Sequence, residues 1–311
     1  MASPDNEDVT GRRPSPSDVA AAGNEAKSFF SVAVAFVAQP VTVSRTLMQV
    51  GYEPVGPELG ISLITRKSCL YYPNTFRYMY NLSSSDGITS LFTGFTAKAI
   101  NVVLSRSAEF SAEKVVRSIA PYDVDADLPM HRKGIKATFY EIAVNCLYKS
   151  VGVVLSQPLN VVMVRMICSI ADVNKNTAYH GFFSTIKEIY NEGGISGFFR
   201  GLLPRWFAEI GTIAMSGTIV YGVYRLVENA IEDETVIASP NYHAMVQFYV
   251  CGLVYKYQLT STVMAASCKG LNIGLPLYDN WSSCFTHLQK TNQLRRGQSI
   301  FYREFLPVPD Q

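Results

Sequence analysis

Charge is scarce in this sequence. Only 17% of its 311 residues are Asp, Glu, Lys or Arg, against about 25% in an average soluble domain, while 48% are hydrophobic. The formal net charge of +2 is too small a surplus for the concentrated basic face that nucleic acid requires, which excludes that partner. Histidine is scarce as well: the four (His131, His180, His243, His287) are scattered, with no H-E-x-x-H. The six cysteines, Cys69, Cys146, Cys168, Cys251, Cys268 and Cys284, form no C-x-x-C pair and read as small buried hydrophobes rather than a zinc site or a disulfide framework. There is no P-loop, and the Gly193-Gly194-x-x-Gly197 run follows an amphipathic stretch rather than a strand, so it fails the dinucleotide context. No catalytic residue, metal or cofactor is expected, and the chain does not read as an enzyme. A cleavable address is lacking too, because Asp5, Glu7 and Asp8 precede any apolar run. Residues 1–24, rich in Pro, Ser, Asp and Ala, read as a disordered tail, so targeting is expected to be internal.

Long apolar segments are abundant. Five stand out: Phe29–Val50, Thr96–Ile119, Phe139–Ile170, Leu202–Val227 and Met245–Cys268. A bilayer-spanning helix needs roughly 20 predominantly apolar residues, and each segment reaches that length. A soluble bundle would have to explain five such helices where a globular helix averages about 11–12 residues. The reading is therefore an all-α, polytopic membrane protein. Between the spans lie shorter amphipathic stretches. They are Asn74–Leu82, Gly181–Glu192 with Phe182, Phe183, Ile186 and Ile189 on one face, and Trp281–Lys290 with Trp281, Phe285 and Leu288 together. Helices of this kind lie in the membrane interface.

The segments repeat. Gln39-Pro40-x4-Arg45-x3-Gln49 returns as Gln157-Pro158-x6-Arg165, with the prolines 118 residues apart. Asp86-Gly87-x4-Phe92-Thr93-Gly94 returns as Glu192-Gly193-Gly194-x4-Phe199-Arg200-Gly201, followed by Leu202-Leu203-Pro204-Arg205, with the closing glycines 107 residues apart. A unit of roughly 100 residues thus recurs as span, amphipathic helix, glycine turn and span. The units run over 25–125 and 136–235, with a truncated third over 240–311. Pro40, Pro158, Gly94, Gly201 and Pro204 are its structural markers. In the third unit Lys256 stands where the proline would be. Too little chain follows residue 290 for a sixth span, so five are expected.

These phrases resemble the signature of the mitochondrial carriers, over almost all of residues 28–303. That signature is Pro-x-acid-x-x-base-x-base ending each odd helix, then acid-Gly-x4-aromatic-base-Gly before each even one. The departures are specific. The acidic position holds Thr42 and Asn160, the first basic position of the second unit holds Met163, and the third unit has lost its proline. The ion-pair gate of a working carrier cannot form from these residues. Together with Gln-Val-Gly-Tyr-Glu-Pro (49–54), Leu-Phe-Thr-Gly (91–94) and the ending Arg-Gly-x-Ser-x-Phe-x-Arg (296–303), the pattern is similar to the mitochondrial carrier homolog family. That resemblance implies a degenerate three-repeat carrier fold, multi-pass in the mitochondrial outer membrane. It further implies insertion of tail-anchored and other α-helical proteins, lipid scrambling, and recruitment of apoptotic regulators. A receptor or scaffold without transport activity, and a residual solute transporter, are the alternatives.

Ionisable groups inside spans are costly and face a bundle interior or a wet cavity. Here they are Arg45, Arg106, Glu109, Lys149, Arg165, Arg205, Glu209 and Lys256. Removing one helix from a six-helix ring leaves a slot open to lipid. The residues expected to line it are Arg45, Glu209, Tyr255 and Lys256, supported by Arg165 and Arg205. Arg45 and Glu209 also match family positions on the helices that flank the cavity. Simpler readings exist. Arg205 and Glu209 are spaced for an i,i+4 ion pair, Arg106 and Glu109 for an i,i+3 pair, and Tyr255 suits a membrane interface. Loops 51–92 and 171–200 with the tail 269–311 hold 11 Lys/Arg against three in loops 120–138 and 228–242, so five crossings put the termini on opposite faces.

Overall fold

The two repeat prolines act differently. In the first unit, α1 (Phe29–Val37) and α2 (Gln39–Val50) meet at a 59° bend, and the expected continuous span 29–50 is broken. Pro40 lies in the first turn of α2, where its missing N–H is no loss. In the second unit, α5 (Ile135–Cys168) runs unbroken through Pro158. The computed structural model describes residues 29–61, 68–119, 134–173, 179–227, 240–301 and 303–305. The expected disordered tail, 1–24, and most of the loops 120–138 and 228–242 lie outside these residues.

Between α2 and α5 come strands β1 (Glu58–Ile61) and β2 (Ser68–Tyr72), α3 (Thr75–Asp86) and α4 (Phe95–Ile119). After α5 come α6 (Phe182–Gly197), α7 (Leu202–Val227), α8 (Pro240–Ala266), α9 (Trp281–Lys290) and β3 (Arg303–Glu304). Asn74 caps α3, its side chain accepting from the Arg77 N–H at 2.8 Å. A kink at Gly194 interrupts α6. By length and apolar composition, Ile88–Ile119 and Ile135–Ala171 qualify as spans, and α1 with α2 makes a third if the bent pair counts as one. The described α7 and α8 have 26 and 27 residues, about 39–40 Å at 1.5 Å per residue, long enough to cross but not among those apolar enough to qualify, so the described helices meet the expectation of five spans with two, or three if the bent pair is one. Of the most apolar stretch of each helix, 67% is buried in α5 but only 22% in α4, so α5 is the central strut. It contacts α2, α4, α6, α7 and α8.

The all-α expectation needs a correction. β1, β2 and β3 form a small antiparallel sheet, with Glu58 opposite Tyr71 and Tyr72 opposite Arg303. Only two residues of β3 pair, and its partner strand belongs to the first unit, so no local pattern announces it. Three of the cysteines, Cys168, Cys268 and Cys284, are buried as expected; Cys69 and Cys146 are half-buried and Cys251 is exposed.

The densest packing lies at one end of the helices. There the C-terminal turns of α2 (Val43, Leu47) and α5 (Val161, Ile167), with Ala265 of α8, meet Tyr78 and Leu82 of α3 and Ile189 of α6. A second cluster joins Leu259 and Val263 of α8 to Cys284 and Leu288 of α9. Each amphipathic helix thus packs under its own unit's odd-numbered span, although Phe183, expected on the apolar face of α6, is 82% exposed.

One hydrogen bond repeats three times at this end. Gln39 Nε2 donates to the Thr93 carbonyl and Gln157 Nε2 to the Arg200 carbonyl, both at 2.8 Å, and the Tyr255 hydroxyl donates to the Arg296 carbonyl at 2.7 Å. A glycine in the left-handed region follows each acceptor: Gly94 (φ 77°), Gly201 (φ 73°) and Gly297 (φ 71°). Gly94 lies against the Met163 carbonyl, and Gly201 against that of Ser261. Met163 is five residues beyond Pro158, and Ser261 five beyond Lys256, so Lys256 does stand at the proline position.

The third clasp closes the ring. Gly297 rests on Met48 and Gln49 of α2, and Arg296 Nε donates to the Gln49 carbonyl at 3.0 Å. Among the described residues no helix follows α9; the turn 291–298 occupies the place where the carrier pattern begins its sixth helix. The chain then runs back over the first unit as β3. Arg303 donates to the Pro73 carbonyl at 2.9 Å and pairs with Glu53. Burial pushes the Glu53 carboxyl up, and the Arg303 guanidinium offsets this only in part.

Candidate functional site

Along α8, Gln247, Cys251, Val254, Gln258, Ser261 and Thr262 recur at steps of three and four and share one face. On α7, Arg205, Ala208, Glu209 and Thr212 do the same. These two stripes and Asn160 of α5 line a cleft of about 260 Å³. Most of the lining side chains can hydrogen-bond, which is unusual for helices of this length and apolarity.

The charges of the cleft are anchored from behind. Arg205 donates to Gln157 Oε1 at 2.9 Å and to Ser156 Oγ at 3.1 Å, both on α5. Pro204 lies in the first turn of α7 beside it, where its missing N–H goes unneeded. Arg205 therefore does not form the simple i,i+4 ion pair with Glu209; among the described residues, the cation within 4 Å of Glu209 is Lys149 of α5, at 3.8 Å. Lys149 Nζ sits closer to Glu109 Oε1 of α4, at 2.9 Å. The Ser105 hydroxyl also donates to Glu109, at 3.2 Å. Glu109 is thus held across helices rather than by Arg106. Gly152 makes this approach possible, since a Cβ there would come within 2.6 Å of Glu109 Cγ. Side-chain exposure rises along the array, from 12% for Glu109 to 26% for Lys149 and 38% for Glu209.

The six expected groove residues therefore divide. Arg205 and Glu209 line the cleft. Arg45 and Tyr255 instead lie at the seam between α2 and α8, and Lys256 lies in neither place. The Arg45 guanidinium stands 5.0 Å over the Tyr255 ring, and its Nε is buried without a hydrogen-bond partner. Tyr255 is 3% exposed and accepts from Gln49 Nε2 at 2.9 Å while donating to the Arg296 carbonyl, so it is a buried clasp rather than an interfacial aromatic. Lys256 is exposed, with its ammonium 5.3 Å from the Tyr257 ring. Arg165 belongs to neither place. It is buried in the packed end, paired with Glu192 at 2.7 Å and donating to the Ala265 carbonyl at 3.3 Å.

The sequence reading noted Lys149 and Glu109 as intramembrane charges without placing them beside the cleft. It named Asn160 only as a lost gate acid and passed over Thr212, Gln247, Gln258, Ser261 and Thr262. The helical spacing of the polar residues in α7 and α8 was the available signal. No cluster of three or more His, Cys, Asp or Glu suited to a metal occurs among the described residues.

The sequence pattern of the family described as "Mitochondrial carrier protein" matches residues 135–230. Over 280 residues the chain is 29% identical to mitochondrial carrier homolog 2 of Homo sapiens and of Pongo abelii, covering 86% of this chain and 90% of each relative. It is also 28% identical over 294 residues to mitochondrial carrier homolog 1 of Mus musculus, covering 87% of this chain and 74% of that protein.

Proposed function

We propose, from its likeness to the mitochondrial carrier homologs over 86% of the chain, that this protein is a member of that family and an insertase of the mitochondrial outer membrane. It crosses the membrane with five helical units and passes the polar tails of tail-anchored and other α-helical proteins through the cleft between α5, α7 and α8. Lipid headgroups use the same route. The observation that carries this reading is that Arg205 and Glu209 share one cleft between three long helices, lined mostly by polar side chains. An ionised side chain at mid-bilayer costs roughly 2.5–3.5 kcal/mol or more. A path lined by amides, hydroxyls and paired charges lowers that cost for a polar segment by keeping it hydrated. No covalent step is required.

A residual solute carrier is the second reading, favoured by the closed ring of helix ends around the cleft. Against it, the cleft of about 260 Å³ falls below the ~300–1,000 Å³ typical of small-molecule sites. Thr42, Asn160 and Met163 also replace the charges of a carrier gate.

The test is reconstitution of the full chain in liposomes, reading the protease-protected fraction of a tail-anchored substrate. Wild type is compared with Glu209→Arg in the cleft and Arg45→Glu at the seam. Slower insertion by folded Glu209→Arg supports the cleft as the path. Folded wild type that inserts nothing overturns the insertase reading, and exchange of a small solute by the same liposomes revives the carrier.

A further inference from the structure

The charges around the cleft are compensated unevenly. Lys149 lies 2.9 Å from Glu109 but 3.8 Å from Glu209, so its shorter contact is with α4. Arg205, one helical turn from Glu209, directs both terminal nitrogens toward α5, at Gln157 and Ser156. Glu209 is left as the charge with the longest ion contact and the greatest side-chain exposure of the array. In the same cleft stand Asn160, Thr212 and Gln258, neutral side chains that offset no charge; the Thr212 hydroxyl donates to the Ala208 carbonyl and leaves its oxygen free to accept. A carboxylate among neutral polar side chains, with Arg205 hydrogen-bonded to α5 and Lys149 closer to Glu109 than to it, is a receptor for an ammonium or guanidinium group. An acidic group entering the same space meets like charge, and its natural partner Arg205 already donates to Gln157 and Ser156.

We propose that Glu209 is the docking point for a basic side chain of the polar tail in transit, and so sets a preference for tails bearing Lys or Arg over tails bearing Asp or Glu. This rests on the insertase reading and adds a specificity-determining residue to it. The interaction strengthens as water is excluded, because unit charges a few ångströms apart interact far more strongly at protein than at bulk dielectric. Glu209 is therefore a transient counter-ion rather than part of the scaffold.

The experiment uses the reconstituted full chain and one tail-anchored substrate made with a lysine-bearing, a neutral or an aspartate-bearing tail. Insertion into protein-free vesicles is subtracted from each. Wild type is expected to insert the lysine tail faster than the aspartate tail by about fivefold to tenfold, the effect of one partly screened charge pair. Glu209→Gln is expected to collapse that ratio toward unity by slowing the lysine tail, and Glu209→Asp to restore it. Wild-type activity with a ratio that Glu209→Gln leaves unchanged overturns this inference while the insertase reading stands. Wild type that inserts none of the tails overturns both.

Discussion

Arg165 and Glu209 both carry charge inside the helical body, and they are treated in opposite ways. Arg165 is buried, with Glu192 at 2.7 Å and the Ala265 carbonyl at 3.3 Å, where three helices and a turn converge. Glu209 is 38% exposed along its side chain and keeps only a 3.8 Å contact with Lys149. The residue types are those of any ion pair; what differs is how completely each is satisfied. A fully partnered buried charge fixes geometry, whereas a partly partnered one retains free energy for a ligand.

Substitutions test that contrast, and the largest effect is expected where satisfaction is most complete. Arg165→Ala strands Glu192 beside Tyr179 and should cost about 3–5 kcal/mol of stability, seen as a large loss of thermal stability in detergent. Glu209→Gln should stay within about 0.5 kcal/mol of wild type. Equal losses in both variants would erase the distinction between scaffold and site.

The glycine turns come next. A Cβ on Gly201 would meet the Ser261 carbonyl at 2.5 Å, and one on Gly94 the Met163 carbonyl at 3.2 Å, both from left-handed backbone. Gly201→Ala should therefore exceed the about 1–3 kcal/mol of a strained backbone alone, with Gly94→Ala nearer that range. Paired melting curves decide the order. Tyr255→Phe removes the third clasp and strands the Gln49 amide, for about 1–2 kcal/mol.

The smallest effect is a pH slope at the strap. Burial raises the Glu53 carboxyl, so the folded chain holds that proton more tightly than the unfolded chain. The resulting stability is complete below the ordinary carboxylate range and is lost as pH rises through the raised value. Glu53→Gln should flatten this slope in melts taken across mildly acidic pH.

Much of the architecture was legible from local pattern. The bounds read for Leu202–Val227 and Trp281–Lys290 are those of α7 and α9, because apolar length and helical periodicity are properties of neighbouring residues. Counting along the repeat also placed Lys256 in the proline register. The bend near Ala38, the pairing of β2 with β3 and the burial of Arg165 were not legible. Each depends on what another part of the chain brings alongside. The cleft was half legible for the same reason. A sequence shows that Arg45 and Glu209 lie on helices, but not that one faces a seam and the other a cavity.

The clasp between Gln49 and Arg296 joins residues separated by 247 positions. Contacts so distant in sequence form only when the intervening chain exists, and closing them is slow. During synthesis at about 5–20 residues per second, the first unit is made well before its partner turn emerges. Until then the end of α2 lacks the cover that Gly297 and Arg296 provide, and β2 lacks β3. Sealing of the ring is therefore a timed event: the cover over the end of α2 arrives only after the third unit has been translated.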